Sequence, residues 1–496
     1  MEPSRPLPDA EATGAGRGRT MDRRKLLALS ALGGTALLGG AGLTGALAPA
    51  GTAAATAARR ALSPEPQVPA TSPGPTPDPT KGVSFFTNAT MEFQALFAFG
   101  SVAYGAGQFG EVLTVVNQVQ AAGPTFQSYY DSFVAMAKTV AALADRELKA
   151  GHRASALSAY LRAAQYFDQA LYFVLGTKTP SAEPTVYAAM QRQWNLATQL
   201  MDQPVERVAI PYGRTTLPAY FLRGSGSNTA KPTVIVNNGS DAQNLDTYVY
   251  GGAAAVERGW NAVVFEGPGQ GSMLFERQIP FRPDWEKVIA PIVDWLRQRP
   301  DVDNKRIALT GWSEGGELVA RAAAFEPRLA AVVSDPGFTD VWAAWPDTIR
   351  SIFATTATKT QVNGTWQQGY IPALDATATL KFTVVKRAEI YGRSYLQAAR
   401  AGKVFTDMWS FGHTLMQFDA TGVLHRIEMP YLVNQYELDA LDPAGDPETL
   451  YHGLGSKRKK LHTFTVAQGA EYHCAPMAPQ TRNQVVYDWL GTVLGA

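Results

Sequence analysis

From Val205 onward the chain alternates short, unbroken apolar runs with helix-forming segments, a pattern that few architectures accept. Thr233-Val-Ile-Val236, Ala262-Val-Val-Phe265, Ile307-Ala-Leu-Thr310, Ala330-Ala-Val-Val333, Tyr431-Leu-Val-Asn434 and Thr463-Phe-Thr-Val466 are β-branched or aromatic and mostly lack polar alternation. Strands of this kind are buried on both faces, which demands a mostly parallel sheet covered by helices on each side. Val208-Ala-Ile210 and Ala219-Tyr-Phe-Leu222 flank the turn at Tyr212-Gly-Arg214 and predict an antiparallel pair that opens the sheet. The expected class is α/β, with an eight-stranded, mostly parallel sheet.

Two stretches depart from this rhythm. Residues 84–203 carry only helical patterns, at 91–106, 129–150, 153–175 and 185–201, with breaks at Gly123-Pro124, Gly151 and Pro180. Residues 151–164 resemble half of a tetratricopeptide repeat, but no second copy follows at a fixed period, so a plain helical domain is expected. Residues 338–425 are rich in aromatics (Trp342, Trp345, Phe353, Trp366, Tyr370, Tyr391, Trp409, Phe411) and too long for a simple loop. They are expected to form a lid inserted after the sixth strand, leaving residues 204–337 and 426–496 as the core.

The N-terminus has the composition of an address rather than a fold. Met21-Asp-Arg-Arg-Lys-Leu-Leu27 places paired arginines before an apolar Gly/Ala-rich stretch, and small-residue sites such as Ala53-Ala-Ala55 or Ala55-Thr-Ala57 follow. This resembles a twin-arginine export signal over residues 1–57, with a Pro/Ser/Thr-rich linker over 58–83. The stretch is too weakly hydrophobic to favour a permanent anchor, so no stable membrane association is expected after cleavage, and an exported location follows. A net charge of +1 gives no electrostatic case for nucleic acid as a partner. One cysteine, Cys474, excludes an internal disulfide, and no clustered Cys/His or H-E-x-x-H pattern calls for a metal. No cofactor is expected; a homodimer is left open.

Chemistry concentrates in Arg306-Ile-Ala-Leu-Thr-Gly-Trp-Ser-Glu-Gly-Gly316, where an apolar strand enters Gly311-Trp-Ser-Glu-Gly315 and an Ala-rich helix leaves it. That is the G-x-S-x-G turn, whose sharpness demands glycines and holds the serine hydroxyl clear of the sheet. A serine needs a base, and the base needs an acid that fixes its tautomer. In this context the chain order is serine, acid, histidine. Of the six histidines, His152 lies in the helical region, His413 in the insertion, His425 before the seventh strand, His452 between the last two strands and His462 at the start of the eighth. His473 follows the C-terminal end of the eighth strand, where ligand sites of parallel sheets lie. The acid should follow the seventh strand, and Glu437-Leu-Asp-Ala-Leu-Asp-Pro443 offers Asp439 and Asp442. Asp439 sits just past the strand end and is preferred; Asp442-Pro443 reads as a helix or turn start.

Attack on a carbonyl creates an oxyanion that needs backbone N–H donors. Glu314 supplies one, and the loop Asn237-Asn-Gly-Ser-Asp241 the other, with Gly239 permitting close approach and Ser240 donating. Asn238 is expected to orient that loop. Gly267-Pro-Gly-Gln-Gly-Ser272 superficially suggests a phosphate cradle, but proline offers no N–H and no Lys-Ser/Thr follows.

Together, Val236-Asn-Asn-Gly-Ser240, Glu266-Gly-Pro-Gly-Gln-Gly-Ser272, Gly311-Trp-Ser-Glu-Gly-Gly316, Glu437-Leu-Asp439 and His473 resemble the α/β-hydrolases that carry an N-terminal helical domain. That group includes 2,6-dihydroxypseudooxynicotine hydrolase, the fermentation-respiration switch proteins and the fungal pigment polyketide-shortening hydrolases. The resemblance implies Ser313, Asp439 and His473 as a triad and a pocket between the sheet's C-terminal edge and the helical domain. It also implies cleavage of an ester or a C–C bond beside a carbonyl in a small apolar acyl, β-diketone or polyketide-like substrate, with the insertion's tryptophans lining the pocket. C–C cleavage needs a further acid for the departing carbon, and Asp335 and Asp340 are near enough in sequence to be considered. An exported prolyl-oligopeptidase-type peptidase fits less well, because its propeller domain is replaced by helices. A non-catalytic binding protein would be expected to lack part of the triad.

Overall fold

Eight strands pair in the order β1-β2-β4-β3-β5-β6-β7-β8. They are β1 (Val205–Tyr212), β2 (Thr215–Leu222), β3 (Lys231–Asn237), β4 (Asn261–Phe265), β5 (Val302–Trp312), β6 (Ala331–Asp335), β7 (Tyr431–Tyr436) and β8 (Lys459–Phe464). This is a computed structural model, and it describes residues 84–224, 229–353 and 357–496. The signal and linker expected over residues 1–83 lie outside the described residues. β1 pairs antiparallel with β2 and β2 antiparallel with β4, whereas every later pairing is parallel. β3, β4 and β6 are buried at every position, which is why their sequences show no alternation.

Among the described residues five α-helices precede the sheet: α1 (Ala89–Gly100), α2 (Phe109–Ala122), α3 (Phe126–Lys149), α4 (Arg153–Phe173) and α5 (Glu183–Leu200). Two of the starts are capped by side chains. Asn88 Oδ1 accepts from the Thr90 and Met91 amides, both at 3.1 Å. Thr125 and Ser128 form a reciprocal capping box at α3. Helix α2 was not anticipated, since Gly110 and a β-branched run (Val112, Thr114, Val115, Val116) weaken its helical propensity. Its inward valines, Val112, Val115, Val116 and Val119, supply the burial that overrides propensity. No helix among the described residues is long and apolar enough to cross a membrane.

The helical region sits on the C-terminal edge of the sheet. Phe97 of α1 meets Trp312 edge-on at 5.5 Å, and Tyr250 stacks on Trp312 at 4.9 Å while meeting Phe97 edge-on at 5.5 Å. Tyr187 of α5 donates to Glu266 at 2.8 Å, beyond the end of β4. On the sheet faces lie α6 (Glu286–Arg297), α7 (Gly315–Ala323), which leaves the β5 turn, and the C-terminal helix Pro479–Leu494.

Between β6 and β7 the described residues include the helices Ala378–Ala388, Arg393–Arg400 and Met408–Leu415. The insertion's aromatics pack on one another: Trp345 on Phe411 at 5.1 Å, Trp366 on Phe405 at 5.3 Å, Trp342 on Phe353 at 5.1 Å. Trp342 and Trp366 thus belong to the insertion's own core, against the expectation that its tryptophans line the pocket, whereas Trp345 also borders a small cavity at Ser313.

Candidate active site

At the end of β5 the backbone turns through Ser313 at φ 59°, a left-handed conformation that a residue with a Cβ adopts only under constraint. The Ser313 amide donates to the Asp335 carbonyl at 2.8 Å, tying the turn to the end of β6. Gly311 cannot carry a side chain, because an added Cβ would lie 2.0 Å from the Gly315 carbonyl oxygen. The turn therefore projects the serine hydroxyl beyond the sheet edge.

Ser313 Oγ lies 2.9 Å from His473 Nε2, and His473 Nδ1 lies 2.8 Å from Asp439 Oδ2. The imidazole and both candidate acids are nearly enclosed, with side-chain exposures of 6% for His473, 8% for Asp439 and 7% for Asp442. Cys474 and Ala475, immediately after His473, also adopt positive φ (62° and 49°), so the imidazole rests on a bend made without glycine. The other histidines stand apart from Ser313, His152 pairing with Glu147 and His413 with the Trp409 carbonyl.

Asp442-Pro443 leads into a turn rather than a helix, the Asp446 amide donating to the Pro443 carbonyl at 3.1 Å. The following helix begins at Asp446 with Gly445 as its cap, and Asp442 instead approaches His473 Nδ1 at 3.6 Å. Its Oδ2 is buried without a hydrogen-bond partner, and burial and then the neighbouring Asp439 push its carboxyl well above the usual range. It therefore faces the imidazole as a carboxyl whose burial favours the protonated form. Asp439, Asp442 and His473 group their donor atoms within 4.8 Å of one another, but both His473 nitrogens are already engaged.

The loop after β3 presses against the β5 turn. A Cβ on Gly239 would lie 2.6 Å from the Trp312 carbonyl, 2.9 Å from the Glu314 amide nitrogen and 2.9 Å from Ser313 Cβ. Only glycine fits there. Among the described residues, no acceptor takes the Glu314 or Ser240 amide hydrogens. Asn238 bonds the Ala242 carbonyl through its side chain, which stabilises the loop as expected.

The glycine-proline-glycine loop after β4 has a role that motif reading did not reveal. Gln270 Oε1 accepts from the Gly267 amide at 2.9 Å, while its Nε2 donates to the carbonyls of Asn238 at 2.8 Å and Gly239 at 3.0 Å. Glu266 anchors the loop from below, accepting from Tyr187, from Asn244 at 3.0 Å and from the Ser272 amide at 2.9 Å.

Asp335 and Asp340, considered as acids in sequence, are committed elsewhere. Asp335 is sealed in an ion pair with Arg482 and also accepts from Asn434 and Tyr436. Asp340 accepts from the Ala343 amide and lines neither cavity at Ser313.

Two cavities meet at Ser313. The larger, about 1030 Å³, runs between the sheet edge and the N-terminal helices, walled by Phe93, Leu96, Phe97, Phe99, Phe109 and Leu113. Its lining also includes Asp168 and Asp246, whose carboxyls burial raises, that of Asp246 to about 6. The β6–β7 insertion contributes only Arg387 to this wall. The smaller cavity, about 40 Å³, is bounded by Ser313, Glu314, Ser240, His473, Arg387 and Tyr391.

The chain is 30% identical over 370 residues to "Hydrolase ORFZ" of Pyricularia oryzae, spanning 71% of this chain and 82% of that protein. The chain belongs to the α/β-hydrolases. This hydrolase is also 31% identical over 319 residues to "20-hydroxy-prefusarin hydrolase FUS2" of Gibberella moniliformis, spanning 60% of this chain and 72% of that one. The model of the Prolyl oligopeptidase family matches residues 286–395, which include the β5 turn. The crystal structure of 2,6-dihydroxy-pseudo-oxynicotine hydrolase superposes with a TM-score of 0.59 at 21% identity, covering 80% of this hydrolase and 95% of that chain. That likeness bears on the fold, and it extends across the helical region as well as the sheet.

Proposed function

We propose that this α/β-hydrolase is a serine hydrolase that cleaves an ester or a C–C bond adjacent to a carbonyl in a small, largely apolar acyl compound. The observation that carries the reading is the relay from Ser313 Oγ through His473 to Asp439, at 2.9 Å and 2.8 Å, opening onto a phenylalanine-walled cavity. In this reading Ser313 attacks the carbonyl and His473 takes its proton. Asp439 holds the Nδ1–H tautomer and stabilises the imidazolium. The Glu314 and Ser240 amides receive the oxyanion, a contribution of about 3 kcal/mol for one such donor, and Gly239 permits their approach.

The large cavity is suited to an aryl or polyketide-like acyl chain, since phenylalanines and leucines make up much of its lining beside a few polar groups. The names of the relatives, hydrolases including one acting on 20-hydroxy-prefusarin, agree with that class. Export through the twin-arginine route, on Arg23-Arg24, is part of the same proposal.

The prolyl-oligopeptidase match favours amide hydrolysis as a second reading. A panel of p-nitrophenyl esters, aryl β-diketones and a prolyl p-nitroanilide separates the reactions. Turnover of esters or diketones with the anilide untouched is expected; anilide turnover alone would reverse the order.

A further inference from the structure

The proposed reaction leaves one proton unassigned. An ester's alkoxide can be protonated by the imidazolium that has just formed, but a carbon leaving group departs as a carbanion and needs an acid at its own position. We propose that the side chain of Glu314 is that acid. This rests on the serine-hydrolase reading and selects C–C cleavage within it.

The geometry is specific. Glu314 follows the nucleophile directly, and its side chain, 9% exposed, lines the small cavity shared by Ser313, Ser240 and His473. Its Oε1 accepts from the Tyr391 hydroxyl at 2.5 Å, so the carboxyl is oriented from the insertion side. Among the described residues no donor takes Oε2, and that oxygen is absent from the atoms sealed away without a partner.

The charged and titratable neighbours are known from every side. Glu317, one turn along α7, is fully buried with both oxygens unpartnered. Tyr391 and Arg387 face the carboxyl from the insertion, and Asp241 from the β3 loop. Asp442 and His473 close the cavity opposite. Burial is the largest influence and raises the Glu314 carboxyl to about 7, against the lowering effects of Tyr391 and Arg387. A carboxyl that titrates near neutrality suits a general acid.

The step balances as follows. Ser313 Oγ bonds to the ketone carbon as its proton passes to His473 Nε2. The tetrahedral oxyanion collapses, the C–C bond breaks, and its electron pair stays on the departing carbon. That carbon takes the Glu314 proton, leaving a carboxylate. The His473 proton then passes to Glu314 through cavity water. The neutral imidazole next deprotonates the water that hydrolyses the acyl-serine, and finally returns a proton to Ser313 Oγ. One water is consumed, its hydroxyl on the acyl product and, in net, its hydrogen on the departing carbon. The small cavity, about 40 Å³, admits about one water, whose share of liquid volume is about 30 Å³.

The test compares wild type with Glu314→Gln on benzoylacetone and on p-nitrophenyl butyrate, whose leaving group needs no proton. Since a general acid contributes about 10²–10⁴-fold, kcat for benzoylacetone is expected to fall by at least about 100-fold. The diketone-to-ester ratio should fall by at least about tenfold, and the wild-type loss of diketone turnover above about pH 7 should vanish from the residual activity. An equal fall on both substrates would overturn the assignment, as would wild type that turns over the ester but not benzoylacetone. That last result would leave the triad standing. Should Glu314→Gln fail to fold, Tyr391→Phe removes a donor that favours the carboxylate and should move the alkaline limb for benzoylacetone to higher pH; an unmoved limb would overturn the assignment.

Discussion

The side-chain amide of Gln270 donates to the carbonyl oxygen of Gly239 at 3.0 Å. In a trans peptide the carbonyl and the following N–H point in opposite directions, so holding Gly239 O on the Gln270 side aims the Ser240 N–H away from it. A glutamine on the β4 loop thereby orients an amide proposed to receive the oxyanion. Gln270→Ala is predicted to lower kcat by about 10- to 100-fold, below the full cost of losing an oxyanion donor, with KM little changed. Steady-state kinetics on p-nitrophenyl butyrate checks this, and a change confined to KM would contradict it.

The support beneath the serine is ionic. Asp335, whose carbonyl holds the Ser313 amide, pairs its carboxylate with Arg482, and the two side chains are 0% and 1% exposed. Removing one partner of a buried pair strands the other charge, at a cost of about 3–5 kcal/mol. Arg482→Met should therefore be destabilised by that amount in urea denaturation, and a loss below about 1 kcal/mol would show that the pair is dispensable.

The two aspartates beside His473 should behave differently. Asp439→Asn removes the charge that fixes the imidazole tautomer and is predicted to lower kcat by about 10³–10⁴-fold. Burial favours the protonated form of Asp442, which Asp442→Asn imitates, so this change should cost less than about tenfold in kcat. The reverse ranking in esterase assays would exchange their roles.

Sequence reading reached the parts of this site that obey chain order and strand geometry. The serine after β5, an acid after β7 and the histidine after β8 each sit at the C-terminal end of a parallel strand, a position that hydrophobic runs locate. What stayed hidden depends on distances between loops. Nothing local in Gln270 announces that its amide reaches the β3 loop, and nothing in Trp342 or Trp366 says that they face each other's neighbours rather than substrate. Asp442-Pro443 reads as a helix or turn start, and the structure takes the turn, the helix beginning only at Asp446-Pro447.

Glu314 carries a stability consequence of defined sign. Its folded-state pKa of about 7 lies above the ordinary 4.5, so the native state binds the extra proton. Its contribution is complete below about pH 4.5 and is lost as pH rises through about 7. At about 1.4 kcal/mol per unit, the charged form costs up to about 3 kcal/mol. Glu314→Gln, which imitates the protonated carboxyl, should match wild type in urea denaturation at pH 5 and exceed it at pH 8. Equal differences at both pH values would contradict this.

The central claim is that Ser313 is an activated nucleophile, and intact-mass spectrometry after fluorophosphonate treatment tests it most directly. Wild type should gain one phosphonyl adduct, and folded Ser313→Ala should gain none. A well-folded wild type that stays unlabelled, or an alanine variant that labels as fast, would contradict the account.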